Sequence, residues 1–271
     1  MLRRAAALAL LTALALPVAA KEAPRRVVSM NLCTDQIAMQ LAAPGQLHSV
    51  SWIARDPRSS AMAEEALAYP ANHGRAEEIW LMKPDLVLSG TFTARASVEM
   101  LKRLGTRVVE VPPAYSLDDI PDRIRTIGAA LGREAEARAM IARFEARLTA
   151  LRAEVGHRPS AAIYYANGYT TGDRTLAGEI LITAGFDNIA GDTMGGHLPL
   201  ELLAMADPDA IITGTPYPGA SRSEEVLAHP VVEALRARAA SRAVTDSDWI
   251  CGTPYVLKAI DDLAAFRKGL E

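Results

Sequence analysis

Two segments about 120 residues apart follow one grammar, and a chain that repeats a grammar folds its halves alike. Residues 76–90 and 200–214 each set a Glu near a helix start (Glu77, Glu201) and apolar residues at helical spacing. Each then has a Pro-Asp break (Pro84-Asp85, Pro208-Asp209) and a short apolar strand ending in Gly90 or Gly214. A helix, Pro-Asp, strand unit in each half predicts two similar α/β lobes. The space between such lobes is a natural ligand cleft.

Residues 1–20 read as an export leader: Arg3 and Arg4, an apolar run from Ala5 to Leu16, then Pro17-Val18-Ala19-Ala20 with small residues where a signal peptidase needs them. Cleavage is expected after Ala20. The apolar run is shorter than the roughly 20 residues of a membrane span, and with no Cys at the cleavage point no lipid attachment is expected. The mature chain, about 250 residues, is then expected in a bacterial periplasm as a monomer, large enough for two lobes of about 100 residues. Net charge is -3 with acids and bases intermixed, so no basic stripe offers a nucleic-acid surface.

Strands are expected over 26–30, 47–52, 86–89 and 108–111, and helices over 34–41, 76–82 and 96–104, with Thr34 or Asp35 near the first helix start. Strands alternating with helices across short Gly or Pro turns predict a parallel sheet covered on both faces. From 134 to 155 there is no Pro or Gly, and Met140, Ile141, Phe144 and Leu148 share one face. About 22 residues make a rod of roughly 33 Å, long enough to span two lobes. Strands over 161–165, 210–213 and 243–245 and helices over 178–184, 200–206, 231–238 and 255–270 complete a second lobe. The predicted fold is α/β: two Rossmann-like lobes with parallel central sheets, joined by one long backbone helix, with the ligand cleft between them. The divisions are a leader (1–20), an N-terminal lobe (25–115), a linking helical segment (116–157) and a C-terminal lobe (158–271).

Several of these segments carry a family resemblance over residues 25–271. The first strand running into Asn31-Leu32-Cys33-Thr34-Asp35-Gln36, the Gly74-Arg75-Ala76-Glu77-Glu78-Ile79 and Lys83-Pro84-Asp85-Leu86-Val87 segments, the long rod and the late Ser247-Asp248-Trp249 loop resemble the helical-backbone class of periplasmic binding proteins. These serve ABC importers of vitamin B12, ferric siderophores and haem. The resemblance implies a transport role, no enzymatic activity and no resident cofactor. The cargo it implies is a cobalt or iron chelate, a corrinoid or ferric siderophore, with haem as the alternative. It also implies a permease dimer as partner, onto whose arginines one Glu on each lobe docks, and Glu77 and Glu201 match those positions. From spacing alone, both are equally helix-start acids favoured by the dipole.

Open α/β sheets bind ligands beyond the carboxyl ends of their strands. That rule nominates Trp52, Arg55 and Asp56 after the second strand, and Thr91, Phe92 and Arg95 after the third. In the second lobe it nominates Tyr165, Asn167 and Tyr169, then Gly196 and His197, Tyr217 and Trp249. Aromatics facing each other across a groove suit a large flat ligand, and arginines beside them suit carboxylates or phosphate. Cys33 and Cys251, the only cysteines, would both face the cleft. They form either a disulfide between the lobe edges, favoured by an oxidising compartment, or thiolates that touch a bound metal complex. His197 is a lone His, usually structural, although axial ligation of a metal is open to it. His48, His73, His157 and His229 are scattered and do not make the cluster that a bare-ion importer needs. An enzyme reading, with a fold like the cluster-carrying nitrogenase components, requires several Cys ligands and a cytoplasmic site. Neither a Gly-x-Ser-x-Gly elbow nor a Gly-rich phosphate loop occurs.

Overall fold

The computed structural model describes residues 22–152, 156–215, 219, 221–244 and 246–270. The expected leader, Tyr217, and the ends of the expected helix at 155 and strand at 245 lie outside the described residues. The N-terminal lobe comprises β1 (Val27–Ser29), α1 (Leu32–Leu41), β2 (Leu47–Ser51), α2 (Ala63–Ala66), β3 (Ala71–Asn72), α3 (Ala76–Leu81), β4 (Leu86–Gly90), α4 (Arg95–Arg103) and β5 (Val108–Val111). Its strands lie in the order β3-β2-β1-β4-β5, every pair parallel. Such a sheet is doubly wound, with its switch point between β1 and β4. Both strands are buried on both faces apart from the terminal Gly90, as a covered parallel sheet requires.

Two helices follow, α5 (Asp119–Leu131) and α6 (Glu134–Arg152). The link is therefore a hairpin of helices, turned at Gly132 with a left-handed φ of 69°. α5 is absent from the sequence reading. Its Pro121 sits in the first turn, where a missing N–H is tolerated, and its Gly128 lets α6 approach so closely that an added Cβ would come within 2.4 Å of Ala137. α6 has 19 residues, or about 28 Å, and buries Met140, Ile141, Phe144, Leu148 and Leu151.

The C-terminal lobe comprises β6 (Ser160–Tyr164), β7 (Tyr169–Thr170), α7 (Leu176–Thr183), β8 (Asp187–Asn188), β9 (Gly196–His197), α8 (Leu200–Ala206), β10 (Ala210–Gly214), α9 (Pro230–Arg236), β11 (Ala240–Val244) and α10 (Val256–Lys268). The order β11-β10-β6-β8 is again parallel, and β7 and β9 form a small antiparallel ribbon beside it. One apolar core runs through both lobes, from Val27, Ile37 and Leu86 through Ile124 and Phe144 to Ile180, Phe186 and Ile260. A smaller outer cluster lies in each lobe.

The repeated grammar has a repeated structural cause. At a constant offset of 124 residues (201 − 77), Ile79 and Leu203 anchor α3 and α8 in the outer clusters. Each helix then ends at a residue of positive φ just ahead of a proline, Lys83 at 50° and Asp207 at 40°. The aspartate after that proline staples the first strand of its own lobe. Asp85 accepts from the backbone N–H groups of Arg25 (2.6 Å) and Arg26 (2.9 Å), while Asp209 accepts from the Ser160 N–H (2.8 Å) and Oγ (2.7 Å). Those bonds hold the Asp209 carboxyl below its usual range, the Ser160 hydroxyl contributing most.

Candidate functional site

The carboxyl ends of the two sheets face each other, and contacts across the gap fix the spacing. From the loop after β2, Arg58 Nη2 donates to the Thr215 carbonyl beyond β10 at 2.8 Å. Cys33, in the first turn of α1, is bonded to Cys251, with Cα atoms 5.1 Å apart. Around that bridge the C-terminal loop leans on the first lobe. Arg123 Nη1 donates to the Gly252 carbonyl (2.9 Å), and Thr253 Oγ1 donates to Gln36 Oε1 (3.3 Å). Gly252 is required there, because a Cβ would stand 2.2 Å from that of Ala114. The disulfide settles the choice left open by the sequence. With both sulfurs in the bridge and Cys251 1% exposed, the thiolate reading is corrected.

Two cavities open on the cleft. One, about 170 Å³, lies at the β1/β4 switch point and is lined by Asn31, Cys33, Thr91, Phe92, Thr93 and Arg123, among others. The other, about 380 Å³, is bounded by Ala114 and Tyr115 on one side and by Tyr165, Leu176, Trp249 and Ile250 on the other. The first reaches Val111 and Pro113 while the second begins at Ala114, so one strand-end segment separates them. Phe92, Tyr115 and Ile250 are exposed, which gives the gap apolar edges.

The local chemistry explains these positions. Asn31, not Thr34 or Asp35, caps α1, its Oδ1 accepting from the N–H groups of Cys33 (3.0 Å) and Thr34 (3.3 Å). The helix opens two residues ahead of the expected 34, with Thr34 and Asp35 in its first turn as expected, and Asn31 was findable as an Asn just ahead of an apolar periodic run. Asp35 is instead fully buried beneath the cleft. It takes the Ser51 N–H at 3.1 Å and the Ser51 hydroxyl, yet its Oδ1 meets no partner among the described residues. Burial outweighs those bonds and pushes its carboxyl up to about 7.

Of the nominated residues, Cys33, Thr91 and Phe92 line the smaller cavity, and Tyr165 and Trp249 the larger. Others stand apart. Trp52 and Arg55 lie in a single turn after β2, where Trp52 is 55% exposed and Arg55 donates to the Tyr69 carbonyl. Asp56 closes that turn by accepting from the Arg58 N–H (3.0 Å) and the Ser59 hydroxyl (2.8 Å). Arg95 opens α4, exposed to solvent. Asn167 adopts a left-handed φ of 56° that turns the chain from β6 into the ribbon, on which Tyr169 and His197 meet edge to face at 6.4 Å. Glu77 and Glu201 are exposed in the first turns of α3 and α8. Glu78, by contrast, is occupied by the His73 N–H (2.8 Å) and ring (3.1 Å). Glu201 raises the Tyr164 phenol, second to burial. Asn31, Arg58, Tyr115 and Arg123 complete the site without having been nominated. Asn31 carried a local signal as a helix cap, and Tyr115 lies just beyond the expected strand at 108–111. Among the described residues no group of three or more His, Cys, Asp or Glu side chains converges to hold a metal ion.

Known proteins resemble this chain in sequence or in fold. A cobalamin-binding protein of Halobacterium salinarum is 29% identical over 199 residues, covering 70% of this chain and 54% of its own length. The chain thus spans about half the length of the curated relatives it first matches. Among solved structures, the apo periplasmic haem-binding protein RhuT from Roseiflexus sp. RS-1 superposes with a TM-score of 0.74 at 22% identity, over 91% of this chain and 99% of that one. The periplasmic vitamin B12-binding protein BtuF of Vibrio cholerae does so with a TM-score of 0.67 at 20% identity, over 91% and 98%. The fold is theirs. With its residues 27–248 matching the family described as periplasmic binding protein, the chain belongs to that family.

Proposed function

We propose that this protein captures a metal chelate, a corrinoid or a ferric siderophore, in the cleft outside the cytoplasm and hands it to the permease of an ABC importer. Haem is the alternative cargo. The observation that carries the reading is the cleft itself: two facing sheet ends with Phe92, Tyr115, Tyr165, Trp249 and Ile250 around cavities of about 170 and 380 Å³. Such walls suit the apolar edges of a large ligand. The names of the relatives, cobalamin-binding, haem-binding and vitamin B12-binding, support the chelate class without choosing among its members. A continuous core, a disulfide and the Arg58–Thr215 bond tie the lobes, so closure is a matter of small shifts and not of a wide hinge.

Delivery falls to Glu77 and Glu201. Each is exposed, each opens a helix on the outer face of its lobe, and their matched places fit a partner with two-fold symmetry. Opposite charges at such a rim steer association more than they add affinity. Exposed carboxylates contribute little to stability, so the double replacement Glu77→Lys/Glu201→Lys is expected to fold and bind ligand normally while uptake in cells is nearly abolished. Normal uptake by that variant would remove the docking assignment and leave ligand capture standing.

A further inference from the structure

Among the described residues Arg123 is a cation without a bonded counter-charge. It is 4% exposed, and of its five N–H donors Nη1 is given to the Gly252 carbonyl while the buried Nε meets no acceptor. The carboxylate whose charge acts on it, Asp119, is turned towards backbone, accepting from the N–H groups of Tyr115 (2.8 Å) and Ser116 (2.9 Å). It reaches Arg123 through its charge alone, and burial pulls the guanidinium down to about 10. Burying a charge unpaired is costly, and a bound anion would remove that cost.

The surroundings suit such an anion. Arg123 lines the smaller cavity together with Asn31, Thr91 and Thr93, and no carboxylate is among its lining residues. The N-terminus of α1, ten residues long, opens there and contributes the positive end of its dipole. The Thr91 hydroxyl makes no hydrogen bond among the described residues. Thr93 Oγ1 accepts from Asn31 Nδ2 at 2.9 Å, which leaves its own proton free to donate. Phe92 stands exposed at the rim, where the apolar body of a ligand would lie.

We infer that this cavity is an anion subsite of the cleft, taking a carboxylate or phosphodiester group of the bound chelate, with Arg123 as its ligand-binding residue and the Thr91 and Thr93 hydroxyls as donors. The inference rests on the chelate reading and narrows it to chelates that carry an oxyanion. Guanidinium suits that group because its planar fork matches two oxygens at once.

The test pairs each chelate with a counterpart that lacks the anion: haemin with its dimethyl ester, cobalamin with cobinamide, and the carboxylate-bearing ferrichrome A with neutral ferrichrome. Affinities are measured on wild type and on Arg123→Gln. In the pair that binds, the anionic member is expected to bind at least about tenfold tighter than its partner. Arg123→Gln should weaken the anionic member by about the same factor and leave the other within about twofold. The responding pair identifies the anion. Should Arg123→Gln fail to fold for want of the Gly252 bond, Arg123→Lys keeps the charge but loses the fork, and the gap should narrow. Equal binding of both members by wild type, or an equal loss for both in the variant, overturns the inference and leaves the chelate reading intact. Failure of all six probes and of a wider panel of ferric siderophores to bind overturns the chelate reading, and this inference with it.

Discussion

Removing the Cys33–Cys251 bridge perturbs the molecule at the place where its two lobes are tied beside the ligand. The cysteines are separated by 218 residues, and the chain-entropy account of a cross-link that long gives about 5 kcal/mol, close to the ceiling for a single disulfide. For a chain of this size each kcal/mol moves the melting point by about 2–4 °C, so the loss should be roughly 10–20 °C. The choice of replacement matters. Cys251 is 1% exposed, and a Ser there would bury an unpaired hydroxyl at a further cost of about 1–3 kcal/mol. Cys33→Ser combined with Cys251→Ala avoids that. Calorimetry of this variant, of wild type, and of wild type held in reductant separates the cross-link from the side-chain change. The reduced protein and the variant should melt together, well below the oxidised protein. A reduced protein that melts within about 2 °C of the oxidised one would refute the reasoning, since the continuous core, the Arg123–Gly252 bond and the Thr253–Gln36 bond would then hold the lobes without the bridge.

Asp35 makes stability depend on pH. Its folded carboxyl lies near 7, above the ordinary 3.8, so the folded state holds the proton more tightly and its contribution is lost as pH rises from about 4 through 7. Wild type should therefore lose stability between pH 5 and 8 relative to Asp35→Asn, and parallel melting profiles over that range would contradict the assignment. The two strand staples should act alike: Asp85→Ala and Asp209→Ala each remove two hydrogen bonds and should each cost about 1–2 kcal/mol in denaturant unfolding. A loss at one site only would mean that the repeated grammar does not carry a repeated energetic role.

The sequence made the fold legible where chemistry is local. The Pro-Asp breaks mark where α3 and α8 end, just after Lys83 and Asp207 turn to positive φ, and the glycines that end β4 and β10 mark the turns towards the cleft. α5 stayed hidden because Pro121 and Gly128 look like breakers, and only the approach of Ala137 explains the glycine. β11 was read as 243–245 because Ala240 to Val244, an edge strand half open to solvent, lacks the apolar run of a covered one. At the site, the strand-end rule leads to Thr91, Phe92 and Tyr165, since those residues follow directly from β4 and β6. Tyr115 lies just beyond β5 and falls under the same rule, whereas Arg123 comes from α5 in the linking segment and reaches the cleft only through tertiary contact. Trp249 and Cys251 are carried in by a loop whose anchor, Gly252, shows its purpose only once Ala114 is beside it.

The account stands or falls on whether the cleft holds a chelate and not a bare ion. Trp249 lines the larger cavity and Trp52 stands exposed beyond β2, so the fluorescence of the purified protein reports on occupancy. Titration with cobalamin, haemin, a panel of ferric siderophores, and zinc, manganese and ferric ions should give saturable quenching at micromolar or tighter affinity with one chelate class, and no response to the bare ions. A saturable response to a bare ion alone, with every chelate silent, would contradict it.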